Sequence, residues 1–186
     1  LAEQTLELMA EVGQLSDLIE VTIAYVGEDD HLFDEWQVSQ DRLPAIALTG
    51  EDGRDRGVWF FGAPLGYEFR TFMEDVVDLS RGKTHLSDET RAALQELTQP
   101  VHIQVFVTPT CPYCPQAVRL AHQFALESDQ VRADMVEATE FPELARRYEV
   151  YGVPKTVINE TEAIEGAVPE EQVLQAVLRA VNGQPG

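Results

Sequence analysis

The chain has 186 residues with 33 acidic against 13 basic side chains, a formal net charge of -20. So acidic a polypeptide offers no footprint for nucleic-acid phosphates or anionic membrane surfaces, and no apolar run reaches the roughly 18 residues of a membrane span. At 44% apolar content the length suits two domains of about 90 to 95 residues, each able to bury a core.

In chain order, Leu1 to Leu18 has helical periodicity, with Leu6, Met9, Val12 and Leu15 on one stripe. Leu43-Pro44-Ala45-Ile46-Ala47-Leu48 reads as an X-Pro step into a strand. The Gly-rich stretch Gly50 to Gly57 is a hairpin turn, and Trp59, Phe60 and Phe61 belong to the core. Helices are predicted over Glu68 to Leu79 and over Ser87 to Leu97, the second with Ser87 as N-cap. A boundary near Gln99-Pro100 divides the chain into residues 1–98 and 99–186. Beyond it the order is β-α-β-α-β-β-α. Strand His102 to Val107 is followed by a helix carrying Ala117, Leu120, Ala121, Phe124 and Ala125. Then come strand Val131 to Ala138, a short helix from Phe141-Pro142 to Tyr148, strands Lys155 to Asn159 and Ala163 to Ala167, and a last helix from about Pro169 to Val181.

The only two cysteines sit in Cys111-Pro112-Tyr113-Cys114, between a strand and the start of a helix. Unpaired amides and the positive end of the helix dipole favour a thiolate there, so Cys111 is expected to be the exposed, attacking sulfur. Cys114, one turn into the helix, is expected to be more buried. Exchange proceeds through a mixed disulfide, so a second sulfur must lie close enough to resolve the adduct. Pro112 stiffens the loop and Tyr113 packs beside the sulfurs. No Asp or Glu occurs between Glu96 and Glu127, which removes the neighbours that would oppose thiolate formation; a buried strand and helix lack acids for packing reasons too. Downstream, Val153-Pro154 precedes a strand. A cis bond there turns the Val153 backbone toward the sulfurs, where it is free to pair with an extended substrate; a trans proline opening an edge strand is the plainer alternative.

An internal repeat is visible. Leu43-Pro44-Ala45-Ile46-Ala47-Leu48 mirrors Val153-Pro154-Lys155-Thr156-Val157-Ile158, and Phe61-Gly62-Ala63 mirrors Glu165-Gly166-Ala167. The run Thr108 to Pro115, with Asp134 to Ala138 and Val153-Pro154-Lys155, resembles the C-terminal unit of the protein disulfide oxidoreductases, glutaredoxin-like proteins of thermophiles with two thioredoxin-fold units. Gly57 to Phe69 and Phe72 to Arg81 are similar to that family's first unit and linker. The resemblance implies an α/β fold of two tandem thioredoxin-like units, each a central mixed β-sheet flanked by helices. It implies dithiol-disulfide exchange on protein substrates, with Cys111 attacking, Cys114 resolving, Val153 and Pro154 at the substrate, and no bound cofactor or metal. A thioredoxin reductase or a peroxiredoxin is then a partner to expect, in the cytoplasm. A reducing compartment also suits two cysteines confined to one motif, and the first residues show no basic-then-apolar leader.

The family pattern breaks in the first unit. Residues 1 to 110 contain no cysteine, Ala2 and Gln4 stand near the place of the motif, and the unit lacks its first strand. Residues preceding Leu1 are expected to supply that strand, since its loss leaves neighbours unpaired; a degenerate unit is the alternative. Thioredoxins keep a buried Asp below the site where this chain has Val105. Glu137, on the next strand, is the candidate proton relay, or else an exposed strand-end carboxylate. Three other functions compete with general exchange. An electron relay to a peroxiredoxin is suggested by similarity to the two fused thioredoxin-like units of the flavoprotein that reduces bacterial peroxiredoxins. A thiol-based carrier of copper(I) or zinc is the second; a full zinc site would need two ligands from His31, His85, His102 and His122, of which His102 falls in the incoming strand and His122 about two helical turns past Cys114, too far to share a metal with it. A glutathione-dependent glutaredoxin is disfavoured by Gly166-Ala167 and by the absence of a Lys before Cys111.

Overall fold

The computed structural model describes residues 2–183. The element order is α1 (Ala2–Gly13), α2 (Asp30–Glu35), a 3-10 turn (Gln40–Arg42), β1 (Ala45–Thr49), β2 (Asp55–Phe61), α3 (Tyr67–Arg81), α4 (Asp88–Gln95), β3 (Val101–Val107), α5 (Cys114–Glu127), β4 (Val131–Glu137), α6 (Pro142–Arg147), β5 (Lys155–Ile158), β6 (Glu162–Glu165) and α7 (Glu170–Asn182). The first helix is shorter than its periodicity suggests. It ends at Gly13, buries Thr5, Met9 and Val12, and leaves Leu15 and Leu18 exposed in the following segment. Ala2 and Gln4 lie exposed in its first turn, and Leu1 lies outside the described residues.

The six strands form one mixed sheet in the order β1-β2-β4-β3-β5-β6. Strands from either side of Pro100 are therefore joined: β2 pairs with β4 in parallel, Val58 opposite Ala133 through Phe61 opposite Val136. The period-two alternation of β2 splits its aromatics between the faces. Val58 and Phe60 join Met9, Phe72, Leu94, Ile103, Val105, Phe124, Met135 and Val177 under the long helices. Trp59 and Phe61 join Val38, Phe106, Val136, Phe141 and Val157 on the opposite side. On that second face Arg132 sits over the Trp59 ring at 4.5 Å and Arg42 over the Phe61 ring at 5.2 Å.

The internal repeat is reproduced in detail. The hairpins β1-β2 and β5-β6 are both antiparallel, each follows a cis X-Pro bond (Leu43-Pro44 and Val153-Pro154), and each ends at a positive-φ glycine. Gly62 N–H donates to the Pro44 carbonyl and Gly166 N–H to the Pro154 carbonyl, both at 2.9 Å. Positive φ at Gly62 and Gly166 is the conformation that glycine adopts at no steric cost.

Ser87 caps α4 as its sequence position predicts, accepting from Thr90 N–H at 3.2 Å, while Ser87 N–H and Oγ both donate to Glu170 Oε1 on α7. Replacing Ser87 with alanine is expected to lower stability by about 1 kcal/mol, the usual worth of an N-cap, and urea unfolding measures it.

Candidate redox site

Strand β3 delivers the chain to the motif loop, and α5 leaves it. Cys111 N–H donates to the Thr108 carbonyl at 3.3 Å, closing the turn that carries the first cysteine. Helix α5 begins at Cys114 itself, with Pro115 in the first turn, so the second cysteine is the first helical residue and not one turn in. The Cys114 N–H donates to Cys111 Sγ at 3.1 Å. A helix-terminal amide is thus aimed at the first sulfur, which is the electrostatic setting that stabilises a thiolate. The two cysteines form a disulfide with Cα atoms 5.5 Å apart.

Burial separates the two sulfurs in the expected sense but by less than expected. Cys111 is 8% exposed and Cys114 0%, so the first retains a small opening to solvent and the second has none. Pro112 and Tyr113 are exposed on the loop. Val153 approaches from β5's leading turn: its carbonyl oxygen lies 3.9 Å from Cys111 Sγ, and Pro154 is buried behind it. The motif and the Val153-Pro154 turn, 42 residues apart, therefore meet as the spacing predicts.

The residue that sequence reasoning missed is Glu68, in the first turn of α3. It is 1% exposed, and neither carboxylate oxygen has a hydrogen-bond partner among the described residues. Burial pushes its carboxyl up to about 7; the Thr71 hydroxyl, out of bonding geometry one turn on, and the charge of His122 offset this only in part. The backbone holds this turn against the motif, because the neighbouring Tyr67 N–H donates to the Pro109 carbonyl at 3.2 Å.

Glu137 takes a different part. It is buried, not an exposed strand end, and its oxygens accept from Thr139 N–H, Thr139 Oγ1 and Glu140 N–H. That carboxylate builds the turn after β4. Glu68 is the one with no such obligation.

A buried ionic network fixes α5 to α3. Arg119 pairs with Asp75, with Asp78 at 2.6 Å and with Glu74 at 3.1 Å. His122 faces Asp75 Oδ2 through Nδ1 at 2.6 Å and the Trp59 carbonyl through Nε2 at 3.2 Å. On the other face Asp134 is fully buried. Burial opposes its charge, yet the His102 hydrogen bond at 2.6 Å and Arg132 at 3.0 Å hold its carboxyl below the usual carboxylate range. His102 and His122 are thus engaged with carboxylates. Among the described residues no group of three or more His, Cys, Asp or Glu side chains is arranged to hold a metal, and no helix is long and apolar enough to cross a membrane.

Residues 101–179 match the family model of the thioredoxin domain. The thioredoxin of Methanocaldococcus jannaschii is 35% identical over 78 residues, which is 41% of this chain and 92% of that protein. A component of the alkyl hydroperoxide reductase of Staphylococcus aureus is 23% identical over an alignment covering 90% of this chain; the chain spans 36% of that protein's length. Among solved structures, a protein disulfide oxidoreductase from Aeropyrum pernix superposes with a TM-score of 0.90 at 35% identity, over 99% of this chain and 81% of its own. By these matches the chain belongs to the thioredoxin superfamily as a member of the protein disulfide oxidoreductases.

Proposed function

We propose that the protein exchanges disulfides with protein substrates through Cys111 and Cys114, in the cytoplasm and without a bound cofactor. In the reducing direction the Cys111 thiolate attacks one sulfur of a substrate disulfide. That bond breaks, a Cys111-substrate mixed disulfide forms, and the other substrate sulfur leaves as a thiolate. The Cys114 thiolate then attacks Cys111 Sγ, releasing the second substrate sulfur and closing the Cys111-Cys114 disulfide. The substrate gains two electrons and the pair loses two. The observation that carries this reading is the Cys114 N–H directed at Cys111 Sγ from the start of α5, with the sulfurs already joined.

Pro112 and Tyr113 shape the loop, and the Val153 backbone beside Cys111 offers an edge to an extended substrate. Cys114 must lose a proton before it attacks. Glu68 is the carboxylate assigned to take it, because it is buried and without a hydrogen-bond partner among the described residues, on the helix turn that Tyr67 N–H ties to the motif loop. The organisation proposed is a cysteine-free thioredoxin-like unit over residues 1–98 and a redox unit over 99–186. A second reading, relay of electrons to a peroxiredoxin, is favoured by the match of 90% of this chain to the alkyl hydroperoxide reductase component.

Titrating the pair against defined thiol-disulfide buffers tests the proposal. A reversible two-electron transition at about -250 mV or below marks a disulfide reductase, and one between about -200 and -120 mV an oxidase or isomerase. Absence of any reversible transition would overturn the redox reading.

A further inference from the structure

Helix α3 belongs to the part of the chain without cysteines, yet its N terminus abuts the motif loop. Gly66, at φ 60°, lies so near Pro109 that a Cβ there would stand 2.3 Å from the Pro109 carbonyl oxygen. Only glycine permits that approach. The next amide, Tyr67 N–H, donates to the same carbonyl, which ties Tyr67 to the loop two residues before Cys111. Its side chain is not packed away: Tyr67 is 53% exposed.

Two more tyrosines are exposed around the same sulfur. Tyr113, between the cysteines, is 70% exposed, and Tyr151, two residues before Val153, is 92% exposed. None of the three hydroxyls has a hydrogen-bond partner among the described residues, so neither core packing nor a polar network accounts for them. They come from three separate segments: the start of α3, the motif loop and the turn before β5. All three segments are held at Cys111, the first by the Pro109 carbonyl and the last by the Val153 carbonyl 3.9 Å from the sulfur. Large rigid aromatic rings with free hydroxyls give contact area at low entropic cost, which is why they recur at protein-binding surfaces. The loop and helix behind them carry no acid between Glu96 and Glu127, although the whole chain has a net charge of -20. Around Tyr113 the rim therefore offers apolar contact with no acid nearby in the chain.

We propose that Tyr67, Tyr113 and Tyr151 form a docking rim for an extended polypeptide whose disulfide is flanked by apolar or aromatic side chains, and that Tyr67 is the contribution of the cysteine-free half to substrate choice. This rests on the exchange reaction proposed above and adds what selects its substrate. A small disulfide reaches Cys111 without crossing the rim; a polypeptide does not.

The difference defines the experiment. Pre-reduced protein is mixed in single turnovers with insulin, a disulfide-linked polypeptide, or with dithiobis(nitrobenzoate), a small disulfide, so that no second reductant is present. Tyr67→Ala is expected to lower the ratio of the insulin to the small-disulfide rate constant by about tenfold, Tyr151→Ala to lower it in the same direction, and Tyr67→Phe to restore it. A merely structural role for Tyr67 would slow both reactions together and leave the ratio alone. Ratios within about twofold of the parent for both alanine variants overturn the rim. So does a parent protein that reacts with the small disulfide and not with insulin. A parent that reacts with neither removes disulfide exchange itself, which separates the two failures.

Discussion

Replacing Cys111 with serine is expected to reduce disulfide exchange by at least about 10³-fold, whereas Cys114→Ala is expected to stall the protein as a mixed disulfide with its substrate. The asymmetry follows from burial and from the helix start. Cys111 keeps the 8% exposure through which a substrate sulfur can be reached and receives the Cys114 amide; Cys114 has no exposure and can attack only what is already attached to Cys111. Alanine suits position 114 because a serine hydroxyl would be buried there without an assigned partner. Intact mass after exposure to insulin reads the result. A Cys114→Ala sample carrying an insulin chain supports the assignment; the adduct appearing on the Cys111 variant instead would reverse the roles of the two sulfurs.

The second large effect is expected at Glu68. With its carboxyl raised from 4.5 to about 7, the folded protein holds that proton across a pH range in which the unfolded chain has released it. The native state thus binds the extra proton, and stability from this group is complete below about pH 4.5, declines as pH rises toward 7, and is absent above it. The Glu68→Gln variant cannot ionise, so this slope disappears. The stability difference between variant and parent should change by on the order of 3 kcal/mol between about pH 4.5 and about pH 8, in favour of the variant at high pH. Urea unfolding at several pH values measures it. The same substitution is expected to slow the resolving step by about 10²-fold and to flatten its rise with pH near 7. A variant with the parent's pH-rate profile would remove Glu68 from proton transfer, even if the stability slope vanished.

The redox centre was legible because its signals are local. Two cysteines at a strand-to-helix junction, a proline in the first helical turn and a proline before the next strand each carry a short-range meaning, and the mirrored Leu43-Pro44 and Val153-Pro154 exposed the repeat. Glu68 was harder. In the sequence it opens an amphipathic helix, where a glutamate is ordinarily the solvent face. Yet Glu68, Thr71, Asp75 and Asp78 recur at steps of three and four and share the buried side with Phe72. A polar stripe in phase with the apolar one was the available clue, and a reading that counts only apolar periodicity passes over it. Two of its members, Asp75 and Asp78, have their partners on α5, in Arg119 and His122, which no local pattern reveals. Position 114 was misplaced by a turn because helix onset depends on which amide finds an acceptor first, and here the acceptor is a sulfur. The short helix Asp30–Glu35 and the 3-10 turn after it carry too few residues to establish a period.

The pairing of β2 with β4 makes the residues before Pro100 part of the sheet that carries the redox site. Cut before Pro100, the redox half would present the backbone of Ala133 to Val136 as an open edge and lose the Trp59 and Phe61 side of its second core. The two parts of the chain therefore cannot be separated without opening this sheet, because their strands are courses of the same wall.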